Sequence, residues 1–353
     1  MKKIFVINFG ATSSKIAYFE DDKCVYKENL THDAAEIARC ETIWDQMDLR
    51  KKAIDEFMAA HGIVVSELDA VVSRGGHTEP LQGGVYRVNQ KMLDESRSMK
   101  YGNHPTDLGL QLAGLYAKEG PTAYTVDSSC TDEFEPLARY SGLKEIERVS
   151  RFQLLNQRAV ARKYAESIGK TYEELNLITC MMGGGTTCCA HKKGRAVDAD
   201  YGLEGDGPFS TDRANGLPSG ALVDLCYSGK YTHKEMKRKL KGLGGLMSYV
   251  GDTDVRNIQK RAEAGDKACE EALLAMCYQT AKDIAGLASV LCGDVDAILI
   301  TGGIANSEFI VNEIRRRISF IAPVFVYPGE YEMESLGVNT YKALIGAVEV
   351  REL

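Results

Sequence analysis

Residues that could bind phosphate lie in the turn after the first apolar segment of the chain. The run Ile4–Ile7 ends in Asn8, passes through the small residues 10–13 (Gly-Ala-Thr-Ser) and resumes at Lys15. Such a turn allows backbone N–H groups and hydroxyls to approach an anion, and Lys15 adds a positive charge. The P-loop pattern GxxxxGK[ST] is absent from the sequence. The turn therefore predicts a phosphate site between two strands, with an ordinary surface hairpin as the alternative.

The same order of segments recurs in the second half of the chain. A strand-like run, Leu177–Met182, leads into a turn at 183–187 (Gly-Gly-Gly-Thr-Thr). A further strand is expected at 188–191, followed by a polar turn at 192–194. Internal repetition indicates a duplicated architecture. Three consecutive glycines favour a close approach of the backbone to a ligand over a purely structural role. Two such units that face each other would hold a polyphosphate from both sides.

The composition narrows the class of protein. The chain has 353 residues, enough for two domains, and a net charge of −7, which argues against a general nucleic-acid binder. No apolar run approaches the ~20 residues of a membrane span, and Met1-Lys2-Lys3 leads into the first strand without a secretory signal. We therefore expect a cytoplasmic protein with reduced cysteines, without nucleic-acid or membrane partners.

The remaining patterns alternate between strands and helices, which predicts an α/β fold with mixed sheets. Strands are expected near 68–73, 123–126 and 295–301, and helices near 47–58, 105–118, 160–168, 274–288 and 335–349. The apolar stripe at 274–288 predicts a core helix, with an interface as the alternative.

Several residues at predicted strand ends carry possible chemistry. Arg74 precedes Gly75-Gly76, and a guanidinium binds carboxylate or phosphate through a planar fork. Asp127 follows another strand, a common catalytic position in α/β sheets, although an Asx turn would also explain it. Arg213 lies in a loop rich in Gly and Pro. The predicted sites therefore include two cationic side chains and one acidic side chain.

A strand followed by a glycine pair and a helix start occupies residues 301–307. This arrangement suits the ribose and α-phosphate of a nucleotide. Beside two phosphate-type turns, it predicts that Gly302, Gly303 and Asn306 bind a nucleotide.

These motifs together resemble the acetokinase family. Beyond the first turn, the resemblance rests on residues 84–89 (GVYRVN), 155–162 (LNQRAVAR), 205–210 (GDGPFS), 301–305 (TGGIA) and 327–330 (YPGE), which are similar to the butyrate kinase branch. The resemblance covers essentially the whole chain. It implies two duplicated ribonuclease-H-like domains of the actin-like ATPase fold with ATP in the cleft between them. The domains would be 1–148, joined by the C-terminal helix 335–353, and 149–334.

The chemistry implied by the resemblance is ATP plus a carboxylate giving ADP and an acyl phosphate, with Mg²⁺. The resemblance also implies that the protein forms a homo-oligomer, a dimer or a larger assembly. The implied roles are catalysis by Arg74, Asp127, Arg213 and Gln153; substrate binding by Arg74, Gly75, Gly76, His104 and Phe152; phosphate and nucleotide binding by Thr12, Ser13, Lys15, Gly183, Gly184, Gly185, Gly302, Gly303 and Asn306; and metal binding by Asn8 and Glu332.

The sequence departs from the family pattern at several positions. Met181 and Gln153 stand where the family has histidines, Ala11 replaces a usual serine, and Ser128 replaces a proline. Gly75-Gly76 replaces bulkier residues of acetate kinases, which leads to the hypothesis that the lost bulk admits a longer or branched acyl chain. The alternatives are an ATP-binding regulatory protein that kept only the fold, an enzyme for another anionic acceptor, and a sugar kinase. Two arginines near the nucleophile site favour an anionic acceptor over a neutral hydroxyl.

Overall fold

The computed structural model describes residues 1–202 and 205–353, with all of their side chains except that of Ala34. The chain divides into two compact units. Unit 1 comprises Met1–Asp132 with Tyr331–Leu353, and unit 2 comprises Glu133–Glu330. The sequence prediction placed the corresponding divisions after residues 148 and 334.

The strands and helices alternate along the chain. The strands are β1 Lys3–Phe9, β2 Ser13–Glu20, β3 Lys23–Thr31, β4 Ala70–Ser73, β5 Val85–Arg87, β6 Thr122–Val126, β7 Asn176–Met182, β8 Thr186–Lys192, β9 Arg195–Ala199, β10 Ala297–Gly302, β11 Val324–Pro328 and β12 Val350–Arg351. The helices are α1 Ala34–Arg39, α2 Met47–Ala60, α3 Gln90–Ser98, α4 Thr106–Tyr116, α5 Leu154–Ser167, α6 Ser219–Tyr227, α7 His233–Leu240, α8 Gly245–Val250, α9 Val255–Glu263, α10 Lys267–Val290, α11 Glu308–Ile318 and α12 Glu332–Leu344.

The sheet of unit 1 has the strand order β12-β5-β6-β4-β1-β2-β3. β1, β2 and β3 form an antiparallel meander, whereas β1, β4 and β6 are parallel neighbours. Successive side chains of a strand point to opposite faces, and in β1 Phe5 and Ile7 join a core cluster with Ile54 of α2 and Leu108 of α4. α12 packs against β1, β2, β4 and β6. The predicted C-terminal helix thus belongs to the first unit, beginning at Glu332.

The sheet of unit 2 has the order β11-β10-β7-β8-β9. Its antiparallel meander β7-β8-β9 and its parallel strands β7, β10 and β11 repeat the arrangement of β1-β2-β3 and β1, β4 and β6. The repeat seen in the sequence is therefore a repeat of the fold. A mixed α/β architecture with two sheets is confirmed.

The longest helix, α10, supplies much of the core of unit 2. Its buried residues are Cys269, Ala272, Leu273, Met276, Cys277, Thr280, Ala281, Ile284 and Leu287. The predicted core role is therefore confirmed, but the predicted stripe included Tyr278, which is 53% exposed. Tyr278 lies beneath the Arg317 guanidinium, 5.5 Å from the ring centre, at the edge of the packed face. Across the described ranges, every helix is too short or too polar to cross a bilayer.

Candidate active site

Three predicted site residues lie at the carboxyl ends of neighbouring parallel strands in unit 1. β4 pairs in parallel with β1 on one side and with β6 on the other. Asn8 is near the end of β1, Arg74 follows β4 directly, and Asp127 follows β6 directly. The carboxyl edge of parallel strands is where open α/β sheets bind ligands. The strand register therefore places an amide, a guanidinium and a carboxylate at one edge of the sheet.

Glu332, the first residue of α12, contacts two of these groups. Asn8 Nδ2 donates to Glu332 Oε2 at 2.7 Å, and Arg74 Nη1 lies 3.6 Å from the same oxygen. Asn8 and Glu332 are only 4% and 8% exposed. Among residues 1–202 and 205–353, the Arg74 guanidinium therefore makes one long ion pair, and most of its planar N–H fork can bind another anion.

Asp127 is buried and has an unusual backbone conformation. Its φ is +43°, a left-handed value that costs a non-glycine residue energy and that recurs at functional sites. Its Oδ1 accepts a hydrogen bond from Gly84 N at 3.0 Å, and its own N–H donates to Gly84 O at 2.9 Å. These two bonds fix the segment before β5 against the end of β6. Both bonds join Asp127 to a residue 43 positions away, so they are not the local Asx turn that the sequence left as the alternative. A catalytic role for Asp127 stays a prediction.

The glycines beside Arg74 have close neighbours. A Cβ on Gly75 would lie 2.5 Å from Ser128 Oγ, and a Cβ on Gly76 would lie 2.7 Å from Asp107 Oδ1. Gly75 also has a φ of +84°, which favours glycine. The hypothesis that lost bulk at these positions leaves room for a longer acyl chain is therefore wrong in its premise, because protein side chains occupy that space.

Asp107, fully buried, organises the segment around the predicted substrate residue His104. It accepts hydrogen bonds from the backbone N–H groups of His77 and His104 at 2.6 and 2.9 Å, and from His77 Nδ1 at 2.9 Å. The centres of the two imidazole rings are 6.5 Å apart. The exposed His104 is therefore anchored through its backbone, and His77, which sequence reasoning missed, lies next to it with its Nδ1 directed at a carboxylate.

The first glycine turn, residues 10–13 (turn 1), presents Thr12 on its exposed side. Lys15 lies directly opposite Asn8 in the β1–β2 ladder. Beneath the turn lies a residue that sequence reasoning missed: Arg50 of α2, whose side chain is fully buried. Its Nη2 donates to the carbonyls of Gly10 and Ala11, each at 3.0 Å. The sequence of α2 carries no local signal for this contact.

The second glycine turn, residues 183–185 (turn 2), is supported by the loop that carries Arg213. Ser210 Oγ donates to Gly184 O at 2.6 Å, and Thr211 Oγ1 donates to the same oxygen at 3.3 Å. A Cβ on Gly185 would overlap the Arg213 guanidinium. The structure thus brings the predicted Arg213 directly against turn 2.

Arg213 is mostly buried and incompletely hydrogen-bonded. Its Nη1 donates to Gly202 O, whereas its Nε makes no hydrogen bond within the described ranges and lies 3.7 Å from Asp212 Oδ1. Burial lowers the pKa of the Arg213 guanidinium below its usual value. Such a group retains donors for an incoming anion.

Gln153 lies at the start of α5 and contacts the strand after turn 2. Its Oε1 accepts from Thr187 Oγ1, and Thr187 also accepts from Gln157 Nε2 at 2.9 Å. The bond to Thr187 fixes the orientation of the Gln153 amide. Its NH₂ group has no hydrogen-bond partner in residues 1–202 and 205–353, so this uncharged group can donate to a ligand. Phe152, predicted to bind substrate, instead packs against the cluster that contains Phe134 and Leu154.

A cavity of about 1070 Å³ lies within unit 2. It is lined by Gly183 and Gly184 of turn 2, by Gly303 and Asn306 after β10, and by residues of α9 and the preceding loop. Gly302, with a φ of +93°, lets β10 approach the end of β7, since a Cβ there would overlap the Met182 carbonyl. Four predicted nucleotide-binding residues thus line one cavity, whose volume suits a nucleotide.

The groups around Asn8 and Glu332 fit a hard divalent cation. Asn8 Oδ1 and the Glu332 carboxylate offer oxygen donors, which Mg²⁺ prefers, and one carboxylate suits an ion that keeps several of its waters. The donor set therefore fits Mg²⁺, and metal binding by Asn8 and Glu332 stays a prediction.

Comparison with known proteins adds family evidence to this geometry. The profile of the acetokinase family matches residues 152–324. These 173 residues are just under half of the 353-residue chain. They include turn 2, Arg213, the cavity and Asn306. The match supports an ATP-dependent carboxylate kinase.

Solved structures show the same fold across almost the whole chain. An acetate kinase from Porphyromonas gingivalis superposes with a TM-score of 0.81 at 16% identity, covering 98% of this chain and 100% of that one. A propionate kinase from Francisella tularensis gives 0.76 at 15% identity, covering 96% and 99%. An acetate kinase from Entamoeba histolytica gives 0.74 at 16% identity, covering 97% and 99%. At such identities the likeness establishes the actin-like ATPase fold.

Proposed function

We propose that the protein transfers the γ-phosphoryl group of ATP reversibly and directly to the carboxylate of a short- or branched-chain acid of the butyrate or isobutyrate type. The product is an acyl phosphate. The observation that carries the proposal is Arg74 at the carboxyl end of β4, whose guanidinium has a single ion pair within the described ranges, at 3.6 Å from Glu332. The acetokinase family match of residues 152–324 supports it independently.

A carboxylate nucleophile sets the chemical requirements of this reaction. Its usual pKa near 4 means that it is ionised at neutral pH and needs no general base. The obstacle is repulsion between the carboxylate and the phosphates, so catalysis consists of positioning and charge neutralisation. Arg74 binds the carboxylate, and Arg213 stabilises the phosphoryl group in transfer. The Gln153 amide supplies a further neutral donor beside turn 2.

The nucleotide is assigned to the cavity of unit 2. Gly183 and Gly184 allow the phosphates to approach the backbone, while Gly303 and Asn306 bind the adenosine part. Thr12, Ser13 and Lys15 face phosphate in unit 1. Asn8 and Glu332 hold Mg²⁺, which supplies charge neutralisation at the phosphates when it is bound.

The chain length of the acid is the most specific part of the proposal. The motifs that resemble butyrate kinases support a four-carbon acid, whereas the fold neighbours are named as acetate and propionate kinases. The packing around Gly75 and Gly76 gives no additional room for a longer chain. The acid preference therefore rests on the sequence motifs, and we include acetate and propionate among the candidate substrates.

The test is an ADP-release assay with Mg-ATP against acetate, propionate, butyrate, isobutyrate and isovalerate, with hydroxylamine trapping of the product. An acyl hydroxamate from a four-carbon acid, with the highest kcat/KM of the series, is the expected result. A preference for acetate would reject the butyrate assignment and keep the kinase. No hydroxamate from any acid, with ATP binding intact, would favour a regulatory ATP-binding protein or another acceptor.

A matched pair of arginine variants tests the role of Arg74. Arg74→Ala should lower kcat/KM for the acid by at least ~100-fold, in the range seen when one transition-state donor is removed, and should leave ATP binding nearly unchanged. Arg97→Ala is the control, because Arg97 is exposed and stacks on Trp44 at 4.3 Å. Equal kcat/KM values for both variants would remove Arg74 from the mechanism.

A further inference from the structure

Arg50 is a fully buried arginine without an acidic partner among the residues that the structure describes. Besides the carbonyls of Gly10 and Ala11, its guanidinium donates to Ser13 O at 3.0 Å and to Ser14 Oγ at 3.2 Å. On the side of α2, Gln46 Oε1 accepts from Nε and Nη2 at 3.1 and 2.9 Å. Burial lowers the pKa of Arg50 to about 10, so the group stays charged at neutral pH. A buried charge of this kind is costly unless another group compensates it.

The hydrogen bonds of Arg50 fix the direction of two peptide units. In a trans peptide the carbonyl of one residue and the N–H of the next point in opposite directions. The carbonyls of Gly10 and Ala11 point at Arg50, so the N–H groups of Ala11 and Thr12 point away from it, toward the exposed side of turn 1. Neither N–H donates a hydrogen bond to any residue in the described ranges. Adjacent N–H groups oriented in this way form an anion-binding concavity.

We propose that Arg50 is a positioning residue, which orients turn 1 so that Ala11 N–H and Thr12 N–H bind a tetrahedral phosphate group. Within the described residues, every group that accepts a hydrogen bond from Arg50 is neutral. The buried charge of Arg50 therefore adds to the positive potential at the turn. The identity of that group as the terminal phosphate of ATP or the phosphate of an acyl phosphate rests on the proposed function. The anion site itself depends only on the geometry of turn 1.

The planar fork of arginine is essential to this arrangement. One guanidinium reaches the carbonyls of Gly10, Ala11 and Ser13 together, each at 3.0 Å. The ammonium group of lysine is a compact charge on a flexible stem and lacks the rigid fork. Arg50→Lys would therefore keep the charge and lose the orientation of the peptides, whereas Arg50→Met would lose both.

The experiment measures Mg-ATP affinity by calorimetry, without any carboxylic acid, in the full-length protein. Both Arg50→Met and Arg50→Lys should raise the Kd of Mg-ATP by ~10-fold or more, the scale of losing one or two charge-assisted contacts. The matched control is Gln46→Ala, which removes the acceptor on the α2 side and leaves the carbonyls of turn 1 bonded. It should lower the melting temperature and leave the Kd within about twofold.

In turnover, loss of the anion site should raise the KM for ATP in both Arg50 variants, whereas the KM for the acid should stay unchanged. A wild-type Kd in folded Arg50→Met would overturn the inference. Restoration of the wild-type Kd by Arg50→Lys would also overturn it, because charge without orientation would then suffice.

A second measurement does not require the variants to fold. Selective ¹⁵N labelling of alanine and threonine in the wild-type protein reports Ala11 N–H and Thr12 N–H directly by nuclear magnetic resonance. Inorganic phosphate, Mg-ATP and acetyl phosphate are titrated separately, and both resonances should shift with at least one of them. The probe that shifts them identifies the source of the phosphate group, and no shift with any probe would overturn the inference. Because no acid is present, absence of kinase turnover would leave this result unaffected.

Discussion

Turn 1 and turn 2 occupy equivalent positions in the two sheets but are supported by different groups. Each turn connects the first two strands of an antiparallel meander. The first strand of each meander also pairs in parallel with a later strand. A buried cation, Arg50, holds the carbonyls of turn 1 from below. Two hydroxyls, those of Ser210 and Thr211, hold the Gly184 carbonyl of turn 2, and Arg213 packs directly against Gly185. Duplication preserved the path of the backbone, whereas the side chains that orient the peptides differ.

A buried acid near the strands of turn 2 is a further difference between the two turns. The only described partners of Arg50 are neutral acceptors. The strand after turn 2 instead contacts an acid, since Asp200 Oδ2 accepts from Cys188 N at 2.7 Å. Burial and the neighbouring Asp283 carboxyl raise the pKa of Asp200 well above its usual value. Turn 1 is therefore supported by a cation, and the base of turn 2 contains an acid that favours its neutral form.

The largest expected effect comes from Gly185→Ala, which tests the contact between turn 2 and Arg213. The new Cβ would overlap the guanidinium and force Arg213 away, so kcat/KM should fall by ~100-fold, as for loss of one transition-state donor. Gly286→Ala in α10 is the matched control, because a Cβ there meets no atom within 4 Å and Gly286 is exposed and does not line the nucleotide cavity. It should retain both the fold stability and kcat/KM. Melting curves and steady-state kinetics of both variants check this. Wild-type kcat/KM in Gly185→Ala would mean that the position of Arg213 does not matter.

The second effect concerns the acid at the base of turn 2. Because the folded-state pKa of Asp200 is raised from 3.8, its contribution to stability is fully present below pH 3.8 and is lost as the pH rises through the folded-state pKa. Asp200→Asn keeps the acceptor for Cys188 N and removes the ionisation. It should therefore raise the free energy of unfolding by about 1–2 kcal/mol at pH 9, with a smaller gain at pH 5. Denaturant unfolding at both pH values measures the difference, and a pH-independent gain would contradict it.

The opposite pH dependence is expected near turn 1, from His32. Its Nε2 is 2.8 Å from Ser14 Oγ, and burial, with the nearby Arg50 charge, lowers its pKa from 6.5. Its contribution to stability is present above pH 6.5 and is lost as the pH falls through the folded-state pKa. His32→Gln should therefore reduce the loss of unfolding free energy between pH 7.5 and pH 5, by an amount on the order of 0.5 kcal/mol. Denaturant unfolding at both pH values measures it. Identical acid profiles of the variant and the wild type would exclude His32 as the cause.

The smallest effect is expected for Gly10→Ala, the counterpart in turn 1 of Gly185→Ala. The nearest atom to the new Cβ would be Ser13 Oγ at 3.2 Å, which can rotate away. The stability should change by no more than about 0.5 kcal/mol, and the KM for ATP by no more than about twofold. Thermal unfolding and ATP titration measure both. A loss as large as that of Gly185→Ala would show that the two turns are equally constrained, contrary to the structure.

The features predicted successfully from the sequence depend on local patterns. The β-branched and apolar runs before each glycine turn specified β1 and β7, and their repetition revealed the duplicated sheets. Strand ends then located Arg74 and Asp127, because parallel strands end at one edge. These inferences required only the residues near each motif and the general geometry of α/β sheets.

The features that the sequence did not predict depend on contacts between distant segments. Arg50 is 40 residues from Gly10, and its place beneath turn 1 follows from the packing of α2 on the first sheet. Asp107 is likewise 30 residues from His77, and the hydrogen bond between them depends on how their two segments pack together. The prediction of free space at Gly75 and Gly76 was wrong because a glycine can make room either for a ligand or for a neighbouring side chain. Only the packed structure distinguishes these two uses.

The return of the chain to unit 1 through α12 has a consequence for biosynthesis. Unit 2 is one continuous segment, whereas Glu332 lies 324 residues after Asn8, its hydrogen-bond partner in unit 1. A ribosome releases the chain from the N-terminus at ~5–20 residues per second, so every residue of unit 2 emerges before Glu332 does. A nascent chain arrested just before α12 would contain the whole lining of the nucleotide cavity, but its first sheet would lack the helix that packs on β1, β2, β4 and β6. The edge that carries Asn8 and Arg74 is therefore completed only after the whole of unit 2 has been synthesised.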